Sequence, residues 1–197
     1  KVSQSDFIHF QDADDFFHPT WCASIRKSIG LGEPDVILNN VSVVNVQNTE
    51  VLVDKFYDFR ELLSTKDLLL FFLAKSNFIL VAMTTFRRKS GLGVGGFLPR
   101  EVINVTEDFE FHMRLFAPGP KFEVIEDPLI IKRRRPNSLS RDGRVQMRPE
   151  VFADGIKSLS LIREWLPPQY HQYLPDIFHR RGAGLFRSGK RREARGE

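Results

Sequence analysis

Short apolar runs alternate with segments whose apolar residues recur at helical spacing, and this alternation constrains the fold more than any other feature. Phe7-Ile8-His9-Phe10, Val36-Ile37-Leu38 with its continuation Val41 to Val46, Phe78 to Met83, Phe122-Glu123-Val124-Ile125 and Leu129-Ile130-Ile131 read as strands. Between them, Trp21, Cys22, Ile25 and Ile29 lie on one side of a helix that Pro19 starts and Gly30 can cap. Ser64 and Asp67 form the pattern of a capping box opening a helix through Leu73. Thr106 is placed to N-cap a helix from Glu107 to about Phe116, which Pro118 and Gly119 terminate. Strands interleaved with helices predict an α/β sheet flanked by helices. From Pro149 onward the spacing is helical only: Phe152, Ile156, Leu159, Ile162 and Trp165, then Pro167-Pro168, then Tyr170, Leu174, Ile177 and Phe178. The expected organisation is therefore an α/β unit over 1–148 and a helical, basic extension over 149–197.

At 197 residues the chain is long enough for one domain with a real core. A single cysteine, Cys22, excludes a disulfide scaffold and an all-cysteine zinc site. It is assigned to packing, as are Trp21, Phe71, Phe72 and Trp165. The greasiest stretch, Leu68 to Met83, is interrupted by Lys75, Ser76 and Asn77 and is too short on either side to span a bilayer. With no signal-peptide pattern, the expected location is cytoplasmic.

Charge is divided along the chain. Residues 1–128 carry 13 basic and 18 acidic side chains, and residues 129–197 carry 16 basic and 7 acidic. An acidic part suited to a cation precedes a basic part suited to phosphates or an anionic surface. From Arg180 to the end there are seven basic residues and two acidic ones, a composition that can contact anionic lipid or simply be solvated. Aromatic residues do not interleave with these charges, which argues against nucleic acid as a partner.

The first strand ends in Asp12-Ala13-Asp14-Asp15, at the carboxyl end where α/β sheets bind ligands. Carboxylates this close repel one another unless a cation or hydrogen bonds offset the repulsion. Hard oxygen ligands suit Mn²⁺ or Mg²⁺ completed by substrate phosphates. The alternative is a turn in which Asp15 or His18 caps the next helix. An EF-hand is excluded, because Phe17 and Ala23 stand where it needs a glycine and a carboxylate. A second acidic group, Glu107-Asp108, opens a helix whose free N–H groups and dipole favour negative charge. A fixed carboxylate there can take a proton from an attacking hydroxyl, or can serve helix stability alone. His112, four residues on, shares its face and is either an orienting partner or a packing residue. Gly91 to Gly96 matches GxGxxG, but Arg87-Arg88-Lys89-Ser90 precedes it and Phe97-Leu98-Pro99 follows. It therefore reads as a glycine loop, not a dinucleotide site.

Three segments in register resemble the family 2 glycosyltransferases of the GT-A fold. They are Phe7 through Pro19 with Asp12-Ala13-Asp14-Asp15, Val94-Gly95-Gly96-Phe97 with Thr106 through Phe111 and Arg114-Leu115, and Lys121 through Arg133 with Ser138-Leu139-Ser140. The resemblance implies a DxD in which Asp12 lies near the ribose and diphosphate, Asp14 is the main metal ligand and Asp15 assists. It implies Asp108 as the general base of an inverting transfer, with Glu107 beside it. It implies a nucleotide-diphosphate sugar as donor, a glycan or lipid-linked hydroxyl as acceptor, and Mn²⁺ or Mg²⁺ as cofactor. Arg135 stands where the family often has a histidine, so Arg133 and Arg135 are expected at the departing diphosphate. The family's nucleotide-binding half precedes the DxD strand, and the chain begins at that strand. The expectation is therefore a C-terminal part of the catalytic domain that is inactive alone. The competing expectation is a non-catalytic domain of the same fold that binds a glycan or a partner.

Overall fold

A computed structural model describes residues 3–45, 47, 50–55, 57–75, 80–104, 106–134, 149–176 and 179. Its centre is β3 (Val36–Asn45), a ten-residue strand buried over its first six positions. β3 runs parallel to β6 (Phe122–Arg134) and antiparallel to β5 (Thr84–Arg87). β5 in turn pairs antiparallel with β1 (Phe7–His9), and β6 with the two-residue β2 (Phe16–Phe17). The order is β1-β5-β3-β6-β2, with β4 (Val51–Val53) on the outer half of β3. Because β5 reverses direction between them, β1, β3 and β6 all point the same way, and their carboxyl ends lie together.

Helical segments pack around this mixed sheet. They are α1 (Trp21–Gly32), α2 (Arg60–Thr65), α3 (Leu68–Lys75), α4 (Arg88–Gly93), α5 (Glu107–Phe116), α6 (Pro149–Trp165) and a 3-10 turn at Pro168–Tyr173. α5 is the crossover between β5 and β6, as a parallel β3–β6 pair requires. Its phenylalanines fill the core: Phe72 of α3 stacks on Phe109 at 5.4 Å and meets Phe116 edge-on at 5.3 Å. Each such fully buried ring stabilises the fold by about 2–3 kcal/mol relative to exposure. Leu159, Ile162 and Leu166, together with Leu174, belong to the same continuous core as Leu38, Phe72 and Phe109.

Several local expectations are corrected. α1 continues past Gly30, and Glu33, at φ 46°, takes the left-handed cap, its N–H reaching Ile29 O at 3.1 Å. Ser64 lies inside α2, a helix not expected from the sequence, which ends at Lys66 (φ 54°), and the expected helix starts at Leu68 as α3. Asp67, not Ser64, caps α3, accepting Leu70 N–H at 2.8 Å. Val81–Met83 is a 3-10 turn, and the strand begins at Thr84. Phe122 through Arg134 is one strand, with its register shifting where Asn40 faces Pro128, instead of two strands around a turn. Pro128 has no N–H to donate, so an irregularity there replaces the missing ladder bond. Residues 88–93 are helical, and of the glycines in 91–96 Gly95 (φ 82°) and Gly96 (φ 69°) use glycine's freedom. Cys22 is exposed, not packed. Phe71 and Phe72 are buried, whereas Trp21 and Trp165 are half-buried against the core. Phe78, Ile177 and Phe178 lie outside the described residues.

Candidate active site

The acidic loop after β1 is fastened to the end of β6. Asp15 N–H bonds Asp12 O at 3.1 Å to close the turn, and His18 N–H reaches Leu129 O at 2.8 Å. Arg133 holds the loop twice. Its backbone N–H donates to Asp15 Oδ1 at 2.9 Å, and its Nε–H donates to the carbonyl of Asp14. The same guanidinium lies 4.3 Å from the centre of the Phe16 ring. Lys132 Nζ stands 3.9 Å from Asp12 Oδ2 and 4.0 Å from Asp15 Oδ2.

These contacts separate the three carboxylates. The Asp15 side chain is only 4% exposed, and burial pushes its pKa up. The Arg133 N–H and Lys132 oppose that rise, while the charges of Asp12 and Asp14 add to it. Asp12 is 48% exposed. Asp15 therefore faces inward as an anchor, and Asp12 is open to solvent. His18 organises the turn before α1 by bonding Thr20 Oγ1 at 2.8 Å, and neither it nor Asp15 supplies a side-chain cap to that helix.

The second acidic group opens α5. Phe109 N–H donates to Asp108 Oδ1 at 2.7 Å, and Glu107, Asp108 and Glu110 share the first turn. Glu107 Oε2 is buried and, among the described residues, has no hydrogen-bond partner. Tyr57 lies beside Asp108: burial first, and then the Asp108 charge, raises its phenol pKa. Tyr57 is itself set by Asn40 in mid-β3, whose Nδ2 donates to Tyr57 O at 2.7 Å and whose Oδ1 accepts Tyr57 N–H at 3.0 Å. His112 is fully buried, stacks 12° from parallel on Phe116 and has no hydrogen-bond partner on either nitrogen among the described residues. Burial lowers its pKa to about 3. It is a packing residue.

Topology places the two acidic groups at one end of the sheet. β6 begins level with β3's first residue, Val36, and α5 ends six residues before β6. α5 must therefore run from the carboxyl ends of the strands toward their amino ends, with Glu107 and Asp108 starting it on the side where β1 delivers Asp12, Asp14 and Asp15. An aromatic chain joins the two sides. Phe10 meets Phe97 edge-on at 5.2 Å, and Phe97 stacks on Phe111 at 4.3 Å. Glu110 and Arg114 form a buried pair at 2.5 Å, and Arg114 also donates to the carbonyl of Val94, fixing the turn before Gly95.

Among the described residues no group of three or more metal-type side chains is disposed to hold an ion. Asp12 and Asp14 nevertheless suit an ion whose remaining ligands are phosphate oxygens and water, which is the usual manner of Mg²⁺. The loop already draws one positive charge, the Lys132 ammonium, to Asp12. Arg135 lies outside the described residues, as do residues 136–148 and the basic tail from Arg180. No described helix is long and apolar enough to cross a membrane.

Asn40, Tyr57 and Lys132 were not singled out by sequence reasoning. The signal for the first was an Asn-Asn pair inside an apolar strand, where asparagine is disfavoured unless its amide is used. Lys132 and Tyr57 carried no local signal.

No family model matches the sequence, and no curated protein does. Among solved structures, the chain superposes on S. aureus TarS 1-349 in complex with UDP-GlcNAc with a TM-score of 0.58 and 16% identity, covering 89% of this chain and 48% of that one. It superposes on S. aureus TarS with a TM-score of 0.53 and 13% identity, covering 94% of this chain and 39% of that one. The chain thus spans about half the length of the first structure and less of the second. Such identities speak for the fold alone: a mixed α/β sheet flanked by helices, shared with these structures.

Proposed function

We propose that these residues form the metal-, diphosphate- and base-bearing side of an inverting glycosyl-transfer site. The donor is a nucleotide-diphosphate sugar, and the acceptor is a hydroxyl of a glycan or a lipid-linked sugar. What supports this reading is the chain direction, which points two acidic groups toward the carboxyl ends of β1, β3 and β6, in a fold shared with a UDP-GlcNAc-bound protein.

The roles follow from the surroundings of each residue. Asp108 takes the proton of the acceptor hydroxyl as its oxygen bonds the anomeric carbon. The bond from that carbon to the diphosphate oxygen breaks, and the electron pair leaves with the diphosphate. The Phe109 N–H fixes one Asp108 oxygen and so orients the carboxylate. Glu107 adds negative charge beside it. Asp14 and Asp12 would hold Mn²⁺ or Mg²⁺, which supplies neutralisation of the departing diphosphate. Asp15 and Arg133 keep that loop in place. Arg135 stands two residues beyond Arg133 and is proposed to face the diphosphate.

The test is UDP release from UDP-sugars with Mn²⁺ and a panel of hydroxyl acceptors. Asp108→Asn is expected to lower acceptor-dependent release by about a hundredfold or more. Asp14→Asn is expected to remove its dependence on Mn²⁺. Release by Asp108→Asn at the parental rate would overturn the assignment of the base.

A further inference from the structure

The acidic loop is held by two cations of different character. Arg133 is fixed, with its Nε–H on the Asp14 carbonyl and its plane over Phe16. Lys132 is not fixed in that way. Its ammonium lies 3.9 Å from one carboxylate and 4.0 Å from another, beyond hydrogen-bond reach of both. Among the described residues only these two long ion pairs hold it there, on a flexible four-carbon stem, with the side chain 23% exposed. One of its two carboxylates, Asp12, is also one of the two proposed above to hold a divalent ion.

A dication on Asp12 and Asp14 and an ammonium at Asp12 repel each other. At about 5 Å, water-screened repulsion between them disfavours joint occupancy roughly tenfold. The arriving ion therefore pushes the ammonium off Asp12. The anion that arrives with the ion is the donor diphosphate.

We propose that Lys132 is an exchangeable cation that couples metal binding to diphosphate binding; this rests on the metal site of the preceding section. In the metal-free protein it neutralises Asp12 and Asp15 and holds the loop together. When metal and diphosphate enter, it passes from the carboxylates to the diphosphate. Lys132 therefore weakens binding of the metal alone and strengthens binding of the metal–nucleotide pair. Because such coupling is reciprocal, UDP tightens Mn²⁺ as much as Mn²⁺ tightens UDP.

The experiment is calorimetric titration of MnCl₂ with and without UDP, for the parental chain, Lys132→Met and Lys132→Arg. Lys132→Met is expected to bind Mn²⁺ alone about tenfold more tightly and to lose about tenfold of the tightening that UDP provides. Lys132→Arg keeps the charge and is expected to restore the parental pattern, which a loss of packing would not explain. Should Lys132→Met destabilise the chain, Lys132→Gln serves for the same two affinities. Unchanged or weaker Mn²⁺ binding in the neutral variants overturns the exchange and leaves the metal site standing. No Mn²⁺ uptake by any of these chains, with or without UDP, overturns both. An Asp14→Asn chain that still takes up Mn²⁺ overturns the site on which the exchange depends.

Discussion

The carboxylate of Asp154, on α6, accepts the backbone N–H of Thr106 at 3.1 Å, at the residue that opens α5. It also accepts the Thr106 hydroxyl at 3.3 Å and the Asn104 N–H at 3.2 Å. The Thr106 side chain is thereby turned away from capping its own helix and bonds Ser158 as well. The helix bearing Asp108 is thus started by a residue 46 positions later in the chain. Asp154→Ala leaves these donors without their acceptor and should cost about 1–3 kcal/mol. Faster hydrogen exchange at Asn104 and Thr106 would accompany the loss, and a melting curve checks its size.

His112 should make the protein acid-labile. Its folded pKa is lowered to about 3, against 6.5 when unfolded. Below pH 6.5 the unfolded chain takes a proton that the folded chain refuses, so stability falls as pH drops from 6.5 toward 3. The slope approaches about 1.4 kcal/mol per pH unit. His112→Phe keeps a ring against Phe116 and removes the two unpaired nitrogens. In denaturant titrations the parental chain should lose stability through the acid limb, the variant keeping its neutral-pH stability further down.

Gly91 tests the packing under the turn before the glycine pair. A Cβ there would lie 2.4 Å from Phe86 Cε2, and Phe86 packs edge-on to Phe111 at 5.3 Å. Gly91→Ala should cost about 1–3 kcal/mol through displacement of that ring. Gly93→Ala, with open space around its Cβ, is the matched control and should be nearly neutral or stabilising.

The Glu110–Arg114 pair predicts a non-additive result. Arg114→Met strands a carboxylate that is 2% exposed and should cost about 3–5 kcal/mol. Replacing both partners with apolar residues should recover much of that loss, as read from a double-variant cycle of unfolding free energies. The Val94 carbonyl remains without its guanidinium donor in either case, so recovery should be incomplete.

Legibility in the sequence followed locality. β1, the position of Thr106 at the head of α5, and the end of α5 before Gly119 were readable because strand runs, N-cap residues and glycines act within a few positions. The joining of the two β6 halves was not readable. Asp127-Pro128 has turn chemistry, yet pairing with ten residues of β3 carries the strand through it. Cys22 falls at the right spacing for a buried face, but α1 packs along a line through Ile25 and Ser28 that leaves it exposed. The two acidic groups could be found from spacing. Their shared end of the sheet follows only from the direction of α5, which no window of sequence contains. The same is true of Asp154 and Lys132, whose partners lie across the chain.

Amide NMR during Mn²⁺ titration tests most directly whether those acidic groups face one another across a common crevice. Bound Mn²⁺ broadens nearby amides, so Asp14, Asp15, Glu107, Asp108 and Phe109 should fade together, while Gly119 and Lys121, at the opposite end of the sheet, persist. Asp14→Asn should restore all the faded signals. Broadening that spares Glu107 through Phe109, or that survives in Asp14→Asn, would contradict the account.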